Sequence, residues 1–181
     1  MQKRDYSLVA IAAGLVICAA LSRLVFYPFN FSPIIAMALF AGSVLKNKKL
    51  AIILPLSAML LSDLLFEFLN IAQGFWGWGQ LVNYVLLAGI TMFGFALKKI
   101  NLLNVAGFSI TSSLIFFFIS NASVWVFQPG LYASDLSGLR DSLIAGLPFL
   151  KNGVLTDLLY CGLLFGVYSL AGRYRMEKAV A

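Results

Sequence analysis

Residues 46–69 read KNKKLAIILPLSAMLLSDLLFEFL: three lysines, then twenty residues in which only Asp63 and Glu67 carry charge. A helix of about 20 apolar residues crosses a hydrocarbon core of about 30 Å. Proline is tolerated in such a helix because neighbouring groups take up the freed backbone, so Pro55 is no objection. The stretch therefore predicts a membrane helix with its lysine end at the cytoplasmic face, since short basic loops stay inside.

The same alternation continues in both directions. Apolar runs at 8–26, 33–45, 50–69, 81–97, 102–127 and 148–170 predict six spans. Tyr27, Pro28 and Asn30 mark a turn between the first two, and Gln128-Pro129-Gly130 stops the fifth. With the N-terminus inside, the inner segments hold Lys3, Arg4, Lys46, Lys48, Lys49, Lys98, Lys99, Arg173, Arg175 and Lys178, ten of the thirteen Lys and Arg residues. Every second loop is basic, and one helix more or fewer destroys the pattern. Trp76, Trp78 and Trp125 fall near the expected outer interface.

Composition agrees. Of 181 residues, 61% are apolar and 11% charged, with a mean hydropathy of +0.94, whereas a soluble domain is about half apolar and a quarter charged. The expected class is all-α, a polytopic membrane protein of six transmembrane helices with both termini inside. It forms a single domain over residues 1–181, expected in the bacterial cytoplasmic (inner) membrane. Lys3 and Arg4 before an apolar run imitate a signal peptide, but the run continues past Cys18, too long for one, so an uncleaved first helix is expected. Residues 131–147 carry Asp135, Arg140 and Asp141 with Leu139, Leu143, Ile144 and Leu147 at helical spacing. They predict a short interfacial helix, with Pro148 opening the sixth span. The net charge of +6 sits in loop clusters, so it reads as topology rather than as nucleic-acid binding.

Charges inside the membrane are costly and are therefore candidate site residues. Met59, Asp63, Glu67 and Asn70 share one face of the third helix. Asn121, Trp125 and Gln128 share a face of the fifth. Asn152, Thr156 and Tyr160 form a stripe on the sixth, flanked by Asp157, and Gln80, Asn83 and Tyr84 lie near the outer end of the fourth. The five charges Arg23, Asp63, Glu67, Lys151 and Asp157 all map to the outer half of their helices or to the outer boundary, which predicts an outward-opening polar and aromatic pocket for a small organic solute. The expected ligand-binding set is Asp63, Glu67, Asn121, Trp125, Lys151, Asn152 and Asp157. Structural alternatives stand beside it: Glu67 in interfacial water, and Arg23 and Lys151 snorkelling to headgroups. Asp63 and Asp157 are deeper and need a partner, a wet cavity or a proton, with Arg23 and Lys151 as the partners. Of the loop at 73–79 and the connection at 131–147, one is expected to cover the pocket and to order when solute binds.

Small residues mark close helix approach. Gly162 and Gly166 read as internal packing of the sixth helix, whereas Ala10, Gly14 and Cys18 fit either a bundle neighbour or a partner subunit. There is no histidine, which removes His-based zinc, haem and Ser-His chemistry. P-loop, HExxH and GxSxG signatures are also missing. No catalytic residue, metal or cofactor is expected, and the chain does not read as an enzyme.

Four stretches carry a family resemblance: Asn30-Phe31-Ser32-Pro33-Ile34-Ile35-Ala36, Pro55-Leu56-Ser57-Ala58-Met59-Leu60-Leu61-Ser62-Asp63, Ile119-Ser120-Asn121-Ala122, and Leu147-Pro148-Phe149-Leu150-Lys151-Asn152 with Thr156-Asp157. On these the chain resembles the substrate-capture (S) components of energy-coupling factor transporters and a related family of uncharacterised bacterial six-helix membrane proteins. The resemblance implies a protein that binds a vitamin-like solute from outside and lends it to a shared transmembrane coupling subunit and ATPases. Members often carry an AxxxA stripe on the first helix; here the nearest match is Ala10, Gly14 and Cys18, a departure. Two other classes remain open. One is a structural or assembly protein whose polar residues serve packing. The other is a lipid-modifying enzyme with Asp63 or Asp157 as base, while a proton-relay carrier is a variant of the transport reading.

Overall fold

A computed structural model describes residues 3–24, 32–71, 73–75 and 77–180, and side chains within those stretches from residue 9 to residue 172. The expected turn at Tyr27, Pro28 and Asn30, and Trp76, lie outside the described residues. The described residues are all-helical, with α1 Lys3–Ser22, α2 Ile34–Val44, α3 Lys48–Phe68, α4 Trp78–Gly94, α5 Leu102–Phe127 and α6 Leu136–Val180.

The starts of α3, α5 and α6 carry side-chain caps, which satisfy amides that have no partner inside the helix. The Asn47 side chain accepts from the amides of Lys49 at 3.1 Å and Leu50 at 3.2 Å. Asn101 accepts from the Asn104 amide at 2.8 Å. Asp135 accepts from the amides of Ser137 at 2.9 Å and Gly138 at 3.1 Å, and from the Ser137 hydroxyl at 2.6 Å. The Ser137 hydroxyl first, and the Gly138 amide after it, hold the Asp135 carboxyl below the usual carboxylate range.

One expectation is corrected here. Residues 131–147 are not a separate interfacial helix: α6 begins at Leu136 and runs unbroken through Pro148. Proline removes one backbone bond, but apolar helical spacing on both sides keeps the remaining ladder as the cheapest arrangement where water cannot replace it. Helices α3, α5 and the Leu136–Gly172 part of α6 are long and apolar enough to cross a membrane. The 37 residues of that last part extend about 55 Å at 1.5 Å per residue, well beyond a core of about 30 Å. Helix α2, with 11 residues, is only about 16 Å long. Large apolar side chains face outward on the long helices, among them Leu64 and Phe68 on α3, Phe118 on α5, and Leu155, Leu159 and Leu163 on α6.

Helix α2 lies at the centre and packs against every other helix. The run from Ala36 to Ala41 is fully buried, as expected of a helix apolar on all sides. Phe40 meets Phe165 and Tyr168 of α6 edge to face, with centroids 5.2 and 5.6 Å apart. The crossing of α2 with α4 is close because both sides lack a side chain: a Cβ on Gly42 would sit 2.1 Å from the Thr91 carbonyl oxygen, and one on Gly94 2.7 Å from that of Leu39. The GxxxG pair behaves otherwise. Gly162 is exposed, and a Cβ on Gly162 or Gly166 would meet nothing within 4 Å, so neither sits at a close crossing among the described residues. Ala10, Gly14 and Cys18 likewise lie on the exposed side of α1, while Ala12, Val16, Ala19 and Ala20 form its buried side.

These crossings distinguish glycines that look alike in the sequence. Gly42→Ala should destabilise the protein by about 1–3 kcal/mol, because the clash is with backbone and a rigid helix must move. Gly14→Ala should leave stability within about 0.5 kcal/mol. Thermal unfolding in detergent of the two variants checks this; equal melting of both would contradict the close crossing.

Candidate functional site

Asp63 sits on the buried side of α3, about one and a half turns before that helix ends. Its Oδ1 accepts from Arg23 Nη1 at 2.9 Å. Arg23 follows the last residues of α1, also donates to the Ser62 hydroxyl, and lies over the Phe66 ring at 5.1 Å from its centroid. Asp63 Oδ2 accepts from Gln80 Nε2 at 3.0 Å and from the Tyr84 hydroxyl at 2.8 Å, both on α4. A single carboxylate thus joins α1, α3 and α4. The α3–α4 loop is fastened to the same place. Gln80 Nε2 also donates to the Gly74 carbonyl at 2.8 Å, and the Gly74 amide donates to Glu67 Oε2 at 3.0 Å. Only glycine fits there, since a Cβ on residue 74 would lie 2.1 Å from the Asp63 carbonyl oxygen.

Asp157 is on α6, 1% exposed. Its Oδ2 accepts from the Ser113 hydroxyl of α5 at 2.7 Å. No salt bridge joins it to Lys151, whose side chain is on the exposed side of the helix. Asn121 Nδ2 donates to the Phe117 carbonyl at 2.7 Å, and Asn121 presses against Gly146, where a Cβ would meet its Oδ1 at 2.3 Å. Helices α5 and α6 therefore touch closely at Asn121 and are held together deeper by Ser113 and Asp157.

Between these two clusters lies a cavity of about 410 Å³, within the size range of small-molecule pockets. Asp63, Asn121 and Asp157 all line it, as do Arg23, Asn83 and Gln73. Its apolar wall includes Phe66, Phe116, Phe117 and Phe149. A second cavity of about 330 Å³ adjoins it at Asn83 and Ser120, which line both, and is walled by Trp78 and Phe127. Those two rings stack at 6.2 Å.

The other expected ligand residues are elsewhere. Glu67 is exposed and spends one oxygen on the Gly74 amide. Trp125 donates its Nε1 to the Ala133 carbonyl at 2.8 Å. Lys151 and Asn152 are exposed and line neither cavity. The reason is helix phase: Asp157 faces inward, and residues five and six positions before it fall on another side at 3.6 residues per turn. Of the two candidate covers, the α3–α4 loop reaches the cavity through Gln73, and the 131–147 stretch does so through Gly146. Ser113, Phe116, Phe117 and Phe149 were not anticipated. The signal for the first was present, since Ser109, Ser113, Phe117 and Asn121 recur every four residues on an otherwise apolar helix.

With Oδ1 and Oδ2 both occupied, Asp63 acts first on stability. Asp63→Asn should cost about 3 kcal/mol or more, because the largely buried Arg23 guanidinium is left without its counter-charge. Arg23→Met combined with Asp63→Asn should cost less than the sum of the two single changes. Unfolding in detergent of all three variants gives the coupling, and additive losses would mean that the pair does not act as a unit.

No curated protein and no solved structure matches the chain. Residues 3–179 match a family of unknown function, DUF6580, and on a match of nearly its whole length the chain belongs to that family.

Proposed function

We propose that this chain is a multi-pass protein of the bacterial inner membrane that captures a small organic solute from the outer face, as a transport component without chemistry of its own. The observation that carries the reading is the cavity lined by α2, α3, α4, α5 and α6, with Arg23 just past the end of α1. Two carboxylates from distant helices and Asn121 line one space of solute size, walled by phenylalanine rings. Aromatic walls with a few fixed polar groups are how small-molecule sites obtain both affinity and orientation. Six spans with both termini inside are part of the proposal, supported by the alternation of basic loops. So is a vitamin-like solute passed to a shared transmembrane subunit and ATPases, which rests on the family resemblance. The exposed Ala10, Gly14 and Cys18 side of α1 is where such a subunit would be met. One observation favours a structural reading for half of the site: the Arg23–Asp63 pair is satisfied within the protein.

Topology is tested with reporter fusions. Fusions after Lys49, Lys99 and Arg175 should read cytoplasmic, and fusions after Gly77 and Ser134 external. A reversed reading at any of these sites defeats the six-span arrangement.

Solute capture is tested by native mass spectrometry of the purified protein, which should show a retained small molecule. Gly153 lines the cavity, and a Cβ there meets nothing within 4 Å. Gly153→Phe should therefore abolish retention while the protein remains folded. A retained mass that is unaffected by Gly153→Phe would place the ligand elsewhere, and no retained mass under any extraction condition would sink the capture reading.

A further inference from the structure

The charges around the cavity do not balance. Among the described residues, its charged lining residues are Arg23, Asp63 and Asp157. The first two neutralise each other at 2.9 Å, and Gln80 and Tyr84 occupy the remaining Asp63 oxygen. Neither of these two charges is available to a solute without breaking the pair. Asp157 differs. Its bond from the Ser113 hydroxyl brings no positive charge, and Lys151 is turned away. The stretch 25–31, which precedes α2, contains no Lys or Arg. A carboxylate buried to 1% exposure with one neutral donor is undercompensated for the loss of water.

The rings point the same way. Phe116, Phe117 and Phe149 line the cavity from α5 and α6, the two helices that carry Ser113 and Asp157. The faces of aromatic rings attract cations and do so more strongly where water is excluded. A carboxylate among phenylalanines is a receptor for an ammonium or a cationic heterocycle. It repels an anion.

We propose that the captured solute is an organic cation whose positive group lies against the Asp157 carboxylate and the α5–α6 phenylalanines. The Arg23–Asp63 pair is then the neutral, structural end of the cavity. This inference rests on the capture reading and narrows it to one class of solute.

The test uses the full chain in detergent and three probes of one shape: benzylammonium, benzyl alcohol and benzoate. Binding is measured by saturation-transfer NMR against protein-free micelles. Benzylammonium should bind at least about tenfold more tightly than benzyl alcohol, the ratio expected when a desolvated cation contact is gained, and benzoate should not bind. Asp157→Asn, which retains an acceptor for Ser113, should remove the preference for the ammonium over the alcohol. If that variant does not fold, Ser113→Ala keeps the carboxylate and frees it of its competing donor, and it should keep or sharpen the preference for the cation. Equal binding of the alcohol and the ammonium, as a permanently protonated Asp157 would give, overturns the inference and leaves solute capture standing. So does a retained natural ligand that is neutral or anionic. Failure of all three probes together with an empty native mass spectrum overturns both.

Discussion

An ionised carboxylate cannot be left alone among apolar helices, and the way Asp63 is satisfied organises one half of this protein. The penalty for a buried unpaired charge exceeds any single apolar contact. Arg23 at the end of α1, and Gln80 and Tyr84 at the start of α4, are therefore drawn to one point on α3. The α3–α4 loop follows, because Gln80 also holds Gly74, and Gly74 can lie on the α3 backbone only for want of a side chain. Attraction between charges sets which elements meet, and the absent Cβ sets how closely.

The other half is ordered by exclusion. Helix α2 has nothing polar to offer its neighbours between Ala36 and Ala41, and it is surrounded on all sides. Packing five helices around so short a rod leaves α5 and α6 to close on each other. There Asn121 fills the space above Gly146, and Ser113 reaches Asp157. The cavity is what remains between the Asp63 cluster and the α5–α6 seam. Its floor and walls belong to different physical regimes: a saturated ion pair on one side, and on the other a carboxylate held by one hydroxyl beside rings.

Close approach in this bundle is not where small-residue motifs point. Gly42, Gly94 and Gly146 meet backbone or side chain at contact distance, while Gly14, Gly162 and Gly166 face open space. Within a chain, the glycines that matter are those at crossings, and a crossing depends on two helices at once. A four-residue repeat on one helix records only that a smooth strip exists.

The sequence by itself determined the helical class, because apolar runs of spanning length and basic loops are local properties of the chain. The limits of α5 agree with those expected, and Asp63 and Asp157 stood out since each carries a charge that an apolar helix must hide. Pairing was only partly legible. Arg23 and Asp63 do meet, but Lys151 and Asp157 do not, because six residues at 3.6 per turn leave the two side chains about a third of a turn apart around the helix. Glu67, Trp125 and Asn152 were polar and near the right end of their helices, yet rotation about each helix axis took them away from the cavity. That rotation, like the unbroken passage of α6 through Pro148 and the burial of α2, is decided by packing against other helices. No single helix encodes it, since the same strip of side chains can face lipid, a neighbour or a cavity according to what packs beside it.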